Sequence, residues 1–212
     1  MFLVAAGLFA MFFFNTLYLQ RVLGYSPLEA GLAFLPFTAG IIVGAGLSQS
    51  LVQKVGAREL PLIGMVLAIA GMLLFTRLQP DSQYLTDFLP PVILASIGMG
   101  LTFVPVTLIA TSGMPPSDAG LASGLYNTSQ QIGGALGLAV LSTLAVGATD
   151  DTLSGISQPT PEQQGQALVD GFHVAYVGSA VLIGIAAVSL LLLLRRQDVA
   201  AIGEGELQPT PA

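Results

Sequence analysis

The chain has no cysteine, no tryptophan and a single histidine, His173, in 212 residues. Without cysteine there is no disulfide framework, no thiol catalysis and no Cys-ligated metal. One histidine cannot build a multi-histidine metal centre. Charge is equally scarce: six Lys/Arg and twelve Asp/Glu make up 8% of the chain, against about 25% in an ordinary soluble domain. The net charge of -6 lacks the basic footprint that nucleic acid requires. There is no P-loop, no GxSxG, no HExxH and no pair of acids within an apolar stretch, so neither an enzyme nor a cofactor or metal site is expected.

What remains is apolar. Hydrophobic residues make up 53% of the chain and the mean hydropathy is +0.80. So few charges cannot keep the surface of 212 residues wet, and a lipid bilayer is expected as solvent and partner. A hydrocarbon core about 30 Å thick, crossed at about 1.5 Å per residue, needs about 20 apolar residues. Six stretches qualify: Phe2–Gln20, Leu32–Val52, Leu60–Leu78, Phe88–Thr111, Ala119–Val146 and Gly171–Leu194. The fold predicted is an all-α membrane protein of six transmembrane helices. Gly147–Asp170, with Asp150, Asp151, Pro159, Pro161 and Glu162, reads as a flexible extracytoplasmic loop. Residues 195–212 read as a polar cytoplasmic tail.

With a cytoplasmic N-terminus, the inner segments hold Lys54, Arg58, Arg195 and Arg196, and the outer ones Arg21 and Arg77. That split follows the positive-inside rule, so both termini are expected in the cytoplasm. Tyr18, Tyr25, Tyr84 and Tyr176 are expected near the outer interface, where amphipathic rings settle. The first span begins at once after Met1, with no basic flank and no cleavage site. Either the first helix is an unusually bare start, or the chain is the later part of a longer protein.

Polarity is unevenly distributed among the spans. The first, second, fourth and fifth carry Asn15, Ser48, Gln49, Ser96, Thr102, Thr107, Asn127, Gln130 and Gln131. Unpaired amides in hydrocarbon are costly, so these side chains must face a bundle interior or a water-filled cavity. The third and sixth spans are almost wholly apolar and can face lipid. Two polar spans followed by one apolar span, repeated, hints at a 3+3 internal repeat. In the fifth span Gly120, Gly124, Asn127, Gln131 and Gly134 fall at helical spacing on one face, beside a stripe holding Gln130, Gly133 and Gly137. These glycines, with Gly40 and Gly44 of the second span, are candidate helix-packing positions. Asn15, Ser96, Thr102, Thr107, Asn127, Gln130 and Gln131 are candidates to line a substrate cavity. Pro36 and Pro105 lie inside predicted helices, where each removes a backbone hydrogen bond. No Asp, Glu, Lys or Arg lies at mid-depth, so this chain carries no visible proton-coupling group.

Two strings point further. Leu17–Pro36 reads LYLQRVLGYSPLEAGLAFLP and Asp118–Gly137 reads DAGLASGLYNTSQQIGGALG. Both resemble the C-terminal half of fourteen-span multidrug:proton antiporters of the major facilitator superfamily, a likeness that runs from about Phe2 to Ala145. The resemblance implies one six-helix half of an alternating-access exporter of small lipophilic compounds in the plasma membrane. The first and fourth helices of such a half line the central cavity, and the third and sixth lie outermost. Lys54, Gly56 and Arg58 resemble the family's basic cytoplasmic loop without its leading acid. The N-terminal six or eight spans would then be the principal partner, in the same or a separate chain. The glycine faces leave a second reading open, a non-transporting membrane subunit or scaffold.

Overall fold

The structure, a computed structural model, describes residues 1–111, 115 and 118–194. The tail expected at 195–212 lies outside the described residues, as do residues 112–114, 116 and 117. Among the described residues all regular structure is helical: α1 (Phe2–Leu17), α2 (Pro27–Ala33), α3 (Leu35–Val55), α4 (Glu59–Phe75), α5 (Leu89–Thr111), α6 (Ala119–Leu153) and α7 (Pro161–Leu193). Wider π-helical turns extend the end of α1 (Tyr18–Val22) and the start of α5 (Tyr84–Phe88).

Five helical units are long and apolar enough to cross a membrane: Phe2–Val22, Pro27–Val55, Tyr84–Ala110, Ala119–Leu153 and Pro161–Leu193. The sixth, α4, is apolar but has 17 residues, about 25 Å, which sits at the short end of the spanning range.

Local chemistry sets the boundaries, and two expectations are corrected here. Ser26 and Glu29 cap one another's backbone amides to start α2, with Pro27 in its first turn. The helix breaks at Phe34 and restarts, so Pro36 lies in the first turn of α3. There its missing N–H leaves no bond unmade, and it does not interrupt a helix as predicted. Pro105 does lie inside α5. Gly56 ends α3 at φ 107°, in the left-handed region that favours glycine.

The second correction concerns 147–170, which is helical except at 154–160. Thr160 and Gln163 form a second capping box, with Pro161 in the first turn of α7. At 35 and 33 residues, α6 and α7 are about 52 and 50 Å long and outreach a hydrocarbon core of about 30 Å. Their linked ends form a stiff hairpin; that end of the bundle is the hairpin rim, and the end carrying Gly56 is the opposite rim.

The helices pack as two groups, α3 and α4 on α5, and α6 and α7 on α1. Contact between α4 and α7 joins them, whereas α3 with α4 and α5 with α6 touch little despite being consecutive. The third and sixth spans thus have two faces. α4 exposes Ile63, Val66 and Leu73, and α7 exposes Val174, Val177, Val181, Ile185 and Val188, while the other side of each is buried. Glycine lets the backbones meet: a Cβ on Gly44 would lie 2.5 Å from the Ile97 carbonyl, and one on Gly64 would lie 2.5 Å from that of Gly98. In lipid, where apolar surface gains nothing by leaving its solvent, such close packing is the main attraction between helices.

Tyr18 and Tyr176 are fully buried within the bundle. Their rings join Phe75 and Phe88 in a stacked cluster. Buried hydroxyls need partners: Tyr18 donates to the Gln79 carbonyl at 2.7 Å, and Tyr176 donates to Asn15 Oδ1 at 2.7 Å.

Candidate functional site

The seven polar side chains expected along a cavity divide in two. Asn15, Ser96 and Thr102 are sealed inside the bundle, a correction to the cavity expectation. Asn15 holds α1 to α7 through Tyr176, and its Nδ2 has no partner. Ser96 donates to the Ile93 carbonyl at 2.9 Å and fills the space over Gly40. Thr102 donates to the Gly98 carbonyl at 2.8 Å, with the Pro61 carbonyl of α4 at 3.4 Å. These hydroxyls close their own helix ladders in the interior, so no solute can reach them in this arrangement.

The remaining four are not sealed inside the bundle. Thr107 of α5 and Asn127 and Gln131 of α6 are exposed, with Gln130 half-buried between them. Thr107 Oγ1 donates its proton to the Phe103 carbonyl at 2.8 Å. The 2.8 Å contact between Thr107 Oγ1 and the Tyr126 hydroxyl therefore has Tyr126 as donor, and Gln130 interacts with the same hydroxyl. This bond spans the thin α5–α6 contact near the opposite rim. Tyr126 was missed by sequence reasoning, which weighed amides and hydroxyls but not the aromatic ring adjoining Asn127.

The helix-packing glycines divide likewise. Gly40, Gly44, Gly133, Gly134 and Gly137 are buried against Ser96, Ile97, Phe2, Phe9 and Ala6 respectively. Gly120 and Gly124 are exposed, and a Cβ on either would meet nothing within 4 Å. With Asn127 and Gln131 they form an open strip that continues the glycine face of α6, small and polar rather than apolar.

Of the three residues expected in the loop after α3, Lys54 instead lies exposed in the last turn of α3, Gly56 makes the turn, and Arg58 Nη2 donates to the Leu191 carbonyl at 2.7 Å. A cation at the C-terminal end of α7 is favoured by that helix's dipole. An apolar cavity of about 270 Å³ lies close by, lined by residues that include Phe2, Met65, Val106, Ser189 and Leu193; none of the seven polar candidates borders it. Among the described residues no group of His, Asp and Glu could hold a metal ion.

Residues 1–138 match the family described as the Major Facilitator Superfamily. Similar full-length proteins include the puromycin resistance protein of Streptomyces alboniger, 39% identical over 209 residues, covering 97% of this chain and 41% of that protein. The cephamycin export protein of Amycolatopsis lactamdurans is 42% identical over 183 residues, covering 86% of this chain and 37% of that protein. The tetracenomycin C resistance and export protein of Streptomyces glaucescens is 36% identical over 151 residues, covering 71% of this chain and 28% of that protein. The chain spans about two fifths or less of the length of these relatives.

Proposed function

The chain belongs to the major facilitator superfamily, and from that premise we propose that it is the C-terminal half of a proton-coupled exporter of drugs or other lipophilic compounds. Its six helices would all span the plasma membrane, α4 included, as one half-bundle with a 3+3 repeat and both termini in the cytoplasm. The N-terminal spans would complete the cavity and supply the coupling groups, because no acid or base lies at mid-depth here.

The observation that carries this reading is the similarity, across nearly the whole chain, to a resistance protein more than twice as long. The open strip of Gly120, Gly124, Asn127 and Gln131 adds support. Exposed amides do not suit lipid, and glycine leaves room for an approaching helix. The packing agrees with a repeat in part: exchanging the first three spans for the last three carries the α1–α6 contact onto α5–α3 and α1–α7 onto α5–α4, whereas α6 and α7 pack together and their counterparts α3 and α4 touch little.

The test uses a drug-sensitive bacterial strain expressing the chain alone or joined to the N-terminal part of the Streptomyces alboniger relative. The joined protein is expected to lower accumulation of a lipophilic fluorescent drug, and a protonophore to abolish the effect, while the chain alone does nothing. In the joined protein Asn127→Leu should reduce efflux about tenfold at unchanged protein level. Absence of efflux from a stably inserted joined protein, or full efflux by the chain alone, would refute the proposal.

A further inference from the structure

The contact between α4 and α7 is tied at both ends by side chains that reach the other helix's terminal carbonyls. At the opposite rim, Arg58 at the start of α4 donates from Nη2 to the Leu191 carbonyl in the last turn of α7, at 2.7 Å. At the hairpin rim, His173 of α7 meets the carbonyl of Leu78, just past the end of α4, at 2.9 Å. A carbonyl only accepts, so Nε2 of His173 carries the proton. In both places a nitrogen donor meets the negative end of a helix, the favourable arrangement for a helix dipole. His173 and Leu191 lie about 27 Å apart along α7, and α4 between the two ties runs about 25 Å. The ties therefore bracket a length close to that of a hydrocarbon core.

Between the ties the two helices are packed. Phe75 and Tyr176 stack at 5.1 Å, and further along a Cβ on Gly184 would sit 4.0 Å from Ile69 Cδ1. Exchanging α4 for α7 converts one tie into the other. Elsewhere the two groups meet through aromatic side chains, Phe12 of α1 on Phe34 and Phe37 and Tyr18 on Phe88, while α5 and α6 touch little.

We infer that Arg58 and His173 are matched positioning residues that clamp α4 to α7 at its two ends, so that the two helix groups move as one rigid body. The consequence for transport rests on the exporter reading; the clamps themselves can be tested in this chain alone. The chain has no cysteine, so introduced cysteines can carry spin labels without background. One labelled pair, Arg77→Cys with Val174→Cys, reports the hairpin rim. A second, Ala57→Cys with Leu192→Cys, reports the opposite rim.

In lipid nanodiscs His173→Leu should broaden the first distance distribution and leave the second unchanged, and Arg58→Leu should do the reverse. His173→Gln, whose amide N–H can reach the same carbonyl, and Arg58→Lys should restore the narrow distributions. If either leucine variant does not insert, His173→Gln against the shorter His173→Asn decides, with only Asn broadening the hairpin-rim distribution. In the joined exporter the leucine variants should lower kcat about five- to tenfold with KM within about twofold, because neither residue touches substrate. Unchanged distances in both leucine variants, or equal ones for Gln and Asn, overturn the clamp whether or not the joined protein exports drug. A rise in KM at constant kcat overturns the positioning role.

Discussion

The two helix groups use the same small residue in different ways. Where α3 and α4 meet α5, glycine brings backbone onto backbone. A Cβ on Gly98 would lie 2.5 Å from the Gly64 carbonyl and 2.6 Å from the Ala68 nitrogen, and one on Gly100 would lie 2.5 Å from the Ile41 carbonyl. Around α1 the glycines divide: Gly134 lies under the Phe9 ring and Gly178 under Leu141, whereas Gly133 meets the main chain of Phe2 and Gly137 that of Ala6. That group also has a fully buried hydrogen bond between side chains, from Tyr176 to Asn15. The first group is held mainly by how closely main chains can approach, the second by a mixture of main-chain approach, side-chain fit and one directed bond. Main chain cannot step aside for an added methyl, but a leucine can change rotamer.

The sharpest way to break this comparison is a pair of alanines. Gly98→Ala is expected to destabilise the bundle by about 2–3 kcal/mol, the scale of overpacking against atoms that cannot move. Gly178→Ala should lose no more than about 1 kcal/mol, because the end of the Leu141 side chain is what stands in the way. Thermal unfolding in one detergent measures both, and equal losses would erase the distinction. Tyr176→Phe comes next. It leaves Asn15 Oδ1 buried without its donor, and about 1 kcal/mol should be lost, since hydrogen bonds between helices in lipid are worth less than isolated groups suggest. Adding Asn15→Leu should recover part of that loss, a non-additivity expected of directly bonded partners. The smallest effect belongs to Gly120→Ala and Gly124→Ala, which meet open space. Stability should change by no more than about 1 kcal/mol, upward if helix propensity prevails. Loss of efflux in the joined protein without loss of stability would locate the surface that its other half covers.

Much of this was legible because apolar length dictates helix in a bilayer. The spacing of Gly133, Gly134 and Gly137 likewise identified positions that do pack closely. What escaped had specific causes. Asn15 and Asn127 look alike in sequence, as amides within predicted spans. Their opposite fates, one buried and one exposed, depend on neighbours contributed by distant parts of the chain. The helical ends within 147–170 escaped because apolar periodicity was the signal sought. A helix beyond the hydrocarbon has no oily face to show, and its evidence was the capping pattern Thr160-Pro161-Glu162-Gln163. The burial of Tyr18 and Tyr176 escaped because their partners, the Gln79 carbonyl and Asn15 Oδ1, come from distant parts of the chain.

The stiffness of the α6–α7 hairpin has a practical consequence. A loop through all of 147–170 would present a protease with a long choice of bonds, whereas the hairpin confines ready cleavage to 154–160. One clean nick should result, and the two pieces should stay together, because Gly171 is seated on Ala145 and Thr149 below the cut. Limited digestion of vesicles from either side would then report which compartment the hairpin faces while leaving the bundle assembled.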